Sequence, residues 1–190
     1  KYESATAETS VVAITSVSGG NATESGTQTA TISITENESA PTVTLATSGS
    51  TLDENSNSTL TLTATLSGTT YENVTVALTP TGTATEGTDY ETIADIVISE
   101  DATTGTATFE TKDDCITEGS TDETATVAIT SVSGGGASES GTQSVALAID
   151  DDEGAPVVTL ASSATSITEG AGSITLTASL GLCSYTSDVV

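Results

Sequence analysis

Carboxylates are the side chains of this sequence whose type and spacing could do chemistry. In the central part of the chain they gather at four places: Asp53 with Glu54; Asp89 before Tyr90; Asp113, Asp114 and Glu118; and the run Asp150, Asp151, Asp152 and Glu153. Two ionised carboxylates about 4 Å apart repel by roughly 4 kcal/mol at an effective dielectric of about 20, so a fold that brought such groups together would need a counter-cation. The chain holds 27 Asp and Glu against two basic residues, Lys1 and Lys112, and offers no Arg or His to serve, so its own cations are too few for several such clusters. A hard divalent ion with about six to eight oxygen ligands fits, and calcium suits a flexible multi-carboxylate cluster better than magnesium does. The competing reading is ordinary turn chemistry, because Asp and Asn serve turns for backbone reasons. The isolated Glu8, Glu24 and Glu139 take that reading, and Asp122 is expected to be a plain surface residue.

Other chemistries find little support. A net charge of −25 opposes binding to phosphate backbones, which rests on Lys and Arg neutralising phosphates, and an anionic membrane surface would repel the chain likewise. There is no His for general-base work, no triad partner for a Ser or Cys, and no glycine-rich phosphate loop after a strand, so no enzyme is expected. Paired carboxylates also serve glycoside hydrolysis, but in a cleft lined with aromatics, and four Tyr and one Phe do not line one. A glycan-binding module would need a recognition surface of the same kind. Thr-x-Thr runs such as TLTLTATL raise an ice-binding reading, for which a Thr-rich exposed strand face is the simpler account. The sequons at Asn21, Asn37, Asn57 and Asn73 are of the number that so Ser- and Thr-rich a chain produces by chance.

The elements that must position the acids are strands. Hydrophobic residues make up 35% of the chain and alternate with Thr, which places it among folded rather than disordered acidic sequences. Between residues 41 and 153 the alternation and the intervening Gly, Ser, Asn and Asp predict seven strands, at roughly 42–47, 58–66, 73–79, 92–99, 104–111, 123–132 and 142–149. Leu60, Leu62, Ala64 and Leu66 alternate with Thr61, Thr63 and Thr65, so one face packs and the other meets water. Val74, Val76 and Leu78 repeat this pattern, as do Val145, Leu147 and Ile149. In a seven-stranded Greek-key sandwich the first, third and fifth connections and the end of the last strand emerge at one pole, which is where the four acidic clusters fall.

An internal repeat sets the larger organisation. AITSVSGG at Ala13 recurs at Ala128, and PTVTLATS at Pro41 returns as PVVTLASS at Pro156, both 115 residues on. Residues 1–40 then form the tail of one repeat with its last two strands, 41–153 a complete repeat, and 154–190 the first two strands and the start of the third of another. The flanks carry core-facing residues without partners, and neither a signal peptide nor a long apolar run is present, so the chain reads as an excerpt of something larger.

An early Glu followed by Asn or Gly, the segment GTATEGTDY, a DD-x-I-x-E stretch followed by DE, and a closing DDD together resemble the Calx-β family. The likeness spans the complete repeat and both flanks. It implies tandem all-β, immunoglobulin-like sandwiches that bind calcium through Glu54, Asp89, Asp113, Asp114, Glu118, Asp150, Asp151 and Asp152, with Glu123 at the family's DE position. Cys115 stands where many relatives have a third Asp, and the first junction reads TENE (Thr35 to Glu38) where the second reads DDDE, so the first should bind calcium more weakly.

Cys115 is expected in a loop at the acidic pole and Cys183 in the loop of the next repeat that faces it, which predicts a disulfide stapling the two repeats, against the alternatives of two buried unpaired thiols or pairing with other molecules; such a bond would imply an oxidising exterior. The combined expectation is a calcium-binding structural repeat in the stalk of a large bacterial surface adhesin or filament. Its partners would be neighbouring repeats and identical chains, and calcium would rigidify the junctions. A regulatory calcium sensor is the rival that the resemblance also suggests.

Overall fold

In the computed structural model the described residues are 1–3, 7–54, 58–113, 116–117, 122–170, 172–181 and 184–185. Those in regular structure form strands: β1 (Glu8–Ala13), β2 (Thr29–Ile34), β3 (Thr42–Thr47), β4 (Thr51–Asp53), β5 (Thr59–Leu66), β6 (Val74–Gly82), β7 (Ile96–Ile98), β8 (Thr104–Glu110), β9 (Ile116–Thr117), β10 (Glu123–Ser133), β11 (Ser138–Glu139), β12 (Ser144–Asp150), β13 (Val158–Ser162), β14 (Leu176–Leu180) and β15 (Ser184–Tyr185).

Residues 42–150 make a two-sheet sandwich. One sheet runs β4-β12-β10-β6-β7 and the other β11-β3-β5-β8. The alternating apolar residues fill the space between them: Val43, Leu62, Ala64, Val74, Val76, Ile96, Ile98, Phe109, Val127, Leu147 and Ile149 are all buried. Phe109 stacks on Tyr90 with ring centroids 4.8 Å apart, and this pair supplies the aromatic bulk of an otherwise aliphatic core. The intervening threonines face outward, as at Thr59, Thr61 and Thr65 of β5.

Each of the seven stretches predicted between residues 41 and 153 contains a strand, and three short strands are added among the described residues, β4 and β11 at edges of the two sandwich sheets and β9 apart from them. β4 leaves the line of β3 to pair in parallel with β12, Leu52 opposite Ile149, and β11 pairs in parallel with β3. The expected strand at 92–99 contracts to β7, because the Asp95 carboxylate accepts the Leu78 N–H at 3.3 Å in place of a backbone carbonyl. Between Ile129 and Ser131 the β10–β6 register shifts by a bulge, where the Thr130 hydroxyl donates to the Ala77 carbonyl.

Two antiparallel hairpins, β1–β2 and β13–β14, flank the sandwich. They expose Val12, Ile32 and Ile34 and Val158, Leu160 and Leu176, whose counterparts in the repeat (Val127, Leu147, Ile149, Val43, Leu45 and Leu62) are buried. Short parallel pairings also join distant stretches: Tyr2 with Thr70, and β9 with β15 through Ile116–Ser184 and Thr117–Tyr185.

Candidate metal centre

Strand register decides which acids meet. Asp53 lies opposite Asp150 in the parallel β4–β12 pair, and the Glu54 N–H donates to the Asp150 carbonyl at 2.8 Å. Glu123 opens β10 opposite Ile149, next to the end of β12. β6 ends with Gly82 opposite Ala125, and β8 ends with Glu110 opposite Thr59. The connections that follow Asp53, Gly82 and Glu110 therefore leave the sandwich at one pole, together with the 151–153 run. The Thr111 hydroxyl, at the floor of this pole, donates to the Asp53 carbonyl at 2.9 Å and fixes the entry to Glu54.

At that pole one carboxylate oxygen from each of Glu54, Asp151 and Glu153 lies within 4.8 Å of the other two. Glu54 is buried, 1% exposed, and the other two are half-buried. The Glu153 N–H donates to Asp151 Oδ1 at 3.2 Å, which turns the chain so that both side chains point at the same volume. Burial first, then the charges and hydrogen bonding of Asp152, Asp151 and Asp113, push the Glu153 carboxyl up to about 7. Its Oε2 is buried without a hydrogen-bond partner among the described residues. Asp150 is likewise raised, by burial, by the charge of Asp122 and a hydrogen bond to it, and by Asp53.

The raised Glu153 carboxyl, with one buried oxygen lacking a hydrogen bond among the described residues, is the member of this group whose charge is least compensated. Of the two lysines, Lys112 donates to the Gly87 carbonyl and lies 3.5 Å from Glu91, while Lys1 sits at the opposite pole beside Asp101. The donor set is oxygen only, which suits calcium or magnesium rather than zinc or iron. Ligand oxygens on a common calcium ion lie at most about 4.6–5.2 Å apart, twice a calcium–oxygen distance, so the grouping is of the size that one ion spans. Glu54, Asp151 and Glu153 are the residues that would hold it.

The sequence-derived ligands distribute as follows. Glu54 and Asp151 are in the group. Asp152 and Asp113 are exposed and act on Glu153 through their charge, and Asp150 sits behind the group, joined to Asp122. Asp89 is buried at the same pole, but its Oδ2 accepts the Thr85 N–H at 2.5 Å and its carbonyl accepts the Lys112 N–H at 3.0 Å, so it also ties down the 85–90 turn. Asp114 and Glu118 lie outside the described residues, as do Cys115 and Cys183. The sequence marks Glu153 as part of the acidic run but not as a ligand; its position two residues beyond Asp151, where a turn brings alternate side chains together, is the available signal. Asp122, expected to be a plain surface residue, is exposed yet shares a hydrogen bond with Asp150.

The acids of the first junction behave differently. Glu3, Glu8, Glu36 and Glu38 line a cleft of about 240 Å³ with Lys1 and Tyr71. Glu36 is held low, at about 2, by its hydrogen bond to the Glu38 side chain and by the backbone N–H groups of Glu3, Glu38 and Asn37. There the chain's own backbone donors hold the carboxylate in its charged form.

No family model and no curated protein sequence matches the chain. Among solved structures it is similar to the apo form of the Calx CBD1 domain, at 19% identity and a TM-score of 0.48, over 59% of this chain and 99% of that one. It is similar also to CBD12 from CALX1.2, at 21% identity and a TM-score of 0.46, over 65% of this chain and 50% of that one. A two-domain protein of Bacteroides fragilis aligns at 11% identity and a TM-score of 0.45, over 66% of this chain and 56% of that one.

Proposed function

We propose that the chain is a calcium-binding structural repeat of an extracellular filament or adhesin stalk, in which the ion sits between Glu54, Asp151 and Glu153. The observation that carries this reading is the convergence of a fully buried and two half-buried carboxylates, with Glu153 raised to about 7, in a chain with no Arg or His to neutralise them. An ion there would supply positive charge and fixed coordination. Glu54 belongs to the sandwich, whereas Asp151 and Glu153 belong to the segment leading into the β13–β14 hairpin. Binding all three ties that segment to the sandwich, so a bound ion stiffens the passage from one repeat to the next.

In this reading Asp152, Asp150 and Asp113 raise affinity by their charge, and Asp89 with Asp114 and Glu118 complete the ligand shell. Neighbouring repeats, and identical chains in a filament, are the partners; the role is mechanical and not catalytic. The disulfide between Cys115 and Cys183 belongs to the same proposal, supported by the parallel pairing of Ile116 with Ser184, the residues that directly follow the two cysteines.

The test is thermal unfolding and calorimetric titration of the intact chain. With millimolar calcium the sandwich should melt well above its temperature in chelator, since binding to the native state alone adds about 2.7 kcal/mol at a concentration 100 times Kd. Coincident melting curves, with no heat of binding, would remove the metal from the proposal.

A further inference from the structure

The pole opposite the acidic group holds a contact that the metal does not explain. Tyr2, outside the sandwich in sequence, is 7% exposed. Its N–H donates to the Thr69 carbonyl at 3.0 Å, and it bridges in parallel to Thr70, itself fully buried. The ring lies against the turn Gly134–Gly136: a Cβ built on Gly136 would stand 2.5 Å from Tyr2 Cε1, and one on Gly135 would stand 2.8 Å from the Thr70 side chain. The Thr70 hydroxyl donates to the Glu72 carbonyl at 2.6 Å, and Glu72 Oε2 accepts the Gly135 N–H at 3.2 Å, so the walls are fixed.

The repeat provides an internal control for why Gly136 is glycine. SVSGGNATES at Ser16 corresponds to SVSGGGASES at Ser131, and the two turns share their backbone: φ is +89°, +62° and +54° at Gly19, Gly20 and Asn21, and +89°, +54° and +62° at Gly134, Gly135 and Gly136. Both close with the same bond, from the Ala22 N–H to the Gly19 carbonyl and from the Ala137 N–H to the Gly134 carbonyl. Asn tolerates this left-handed conformation, and at position 21 it adopts it. The backbone therefore does not require glycine at 136. Space does, because a side chain there would occupy the volume of the Tyr2 ring. Gly19 and Gly20, in the turn that carries Asn, have nothing within 4 Å.

We propose that this turn and Thr70 form a socket for one aromatic side chain of the segment preceding the sandwich, and that Gly136 is the residue that admits it. The interaction keys one junction: Tyr2 corresponds to Thr117 in the repeat, so the next junction pairs the same two stretches without the ring. Tyr2 is followed by Glu3, whose N–H donates to Glu36 Oε2 at 2.7 Å, so seating the ring also places the preceding acidic cleft against the sandwich. Calling the contact a junction rests on the repeat reading proposed above, whereas the socket does not depend on a metal.

The experiment is tyrosine nitration of the intact chain in chelator, mapped by mass spectrometry, so that it stands or falls apart from calcium binding. Tyr71 is 48% exposed and Tyr90 is 3% exposed, which gives an open and a closed reference in the same molecule. Tyr2 should react far more slowly than Tyr71. Gly136→Asn should bring Tyr2 to about the rate of Tyr71 while Tyr90 stays protected. Gly141→Asn, at a φ of +70° with nothing within 4 Å, should leave Tyr2 protected. Tyr2 reacting as fast as Tyr71 in the unaltered chain overturns the socket whatever the variants do, and so does continued protection of Tyr2 in a folded Gly136→Asn protein.

Discussion

Glu54→Gln is the substitution that most directly separates a metal ligand from a buried structural carboxylate. The side chains are nearly isosteric, so packing at this 1% exposed position is kept and one negative charge is removed. Without a cation, Glu54 faces Asp151 and Glu153 with oxygens within 4.8 Å. At that separation each ionised partner repels it by about 3 kcal/mol for an effective dielectric of about 20. Glu153, raised to about 7, is close to half protonated at neutral pH and contributes only part of its share. The relief on neutralising Glu54 in chelator is then about 3 kcal/mol from Asp151 and about half as much from Glu153, about 4–5 kcal/mol together, equivalent to a rise in Tm of roughly 15–20 °C for a sandwich of this size. In calcium the sign reverses, because the ion loses one of its charged ligands. A 100-fold fall in affinity costs about 2.7 kcal/mol of the stabilisation that saturating ion provides. Scanning calorimetry of both proteins, each with excess chelator and with millimolar calcium, reads all four values. If the Glu54→Gln protein is destabilised by the same amount in both conditions, Glu54 is a structural hydrogen-bonding group and the reasoning is wrong.

Two further outcomes follow from the same geometry. The Glu153 carboxyl has a folded value of about 7 against an ordinary 4.5, so the metal-free native state binds the extra proton between these values; stability in chelator should fall as pH rises through that window, and apparent calcium affinity should rise about tenfold from pH 6 to pH 8 as the ion displaces the proton, both read by titration calorimetry and denaturant melts. Phe109→Ala removes the fully buried ring that stacks on Tyr90 and should cost about 3–5 kcal/mol in denaturant unfolding with or without calcium, and a loss confined to the calcium-bound protein would contradict its place in the core.

Much of the architecture was legible in the sequence because strand periodicity is a local property. Leu62, Ala64 and Leu66 announce a buried face by alternating with Thr, and the structure buries all three. The 115-residue repeat relates the residues of the two flanking hairpins to residues of strands inside the sandwich, a relation of sequence that is local in the same way. The short edge strands β4 and β11 were not legible: three and two residues carry no periodic signal, and their pairing is parallel and distant in sequence.

By itself the sequence determined that the acids cluster at the ends of strands, that Lys112 is the one basic residue adjoining them, and that an ion held by them would be oxygen-bound. Those are facts of composition and spacing, which survive in any fold that respects the alternation. Only the tertiary structure decided that Glu153 joins Glu54 and Asp151, that Asp89 turns one oxygen to the Thr85 backbone, and that Gly136 faces Tyr2. Each depends on how a loop leaves its strand and where a side chain far along the chain comes to rest, and a linear pattern holds no record of either.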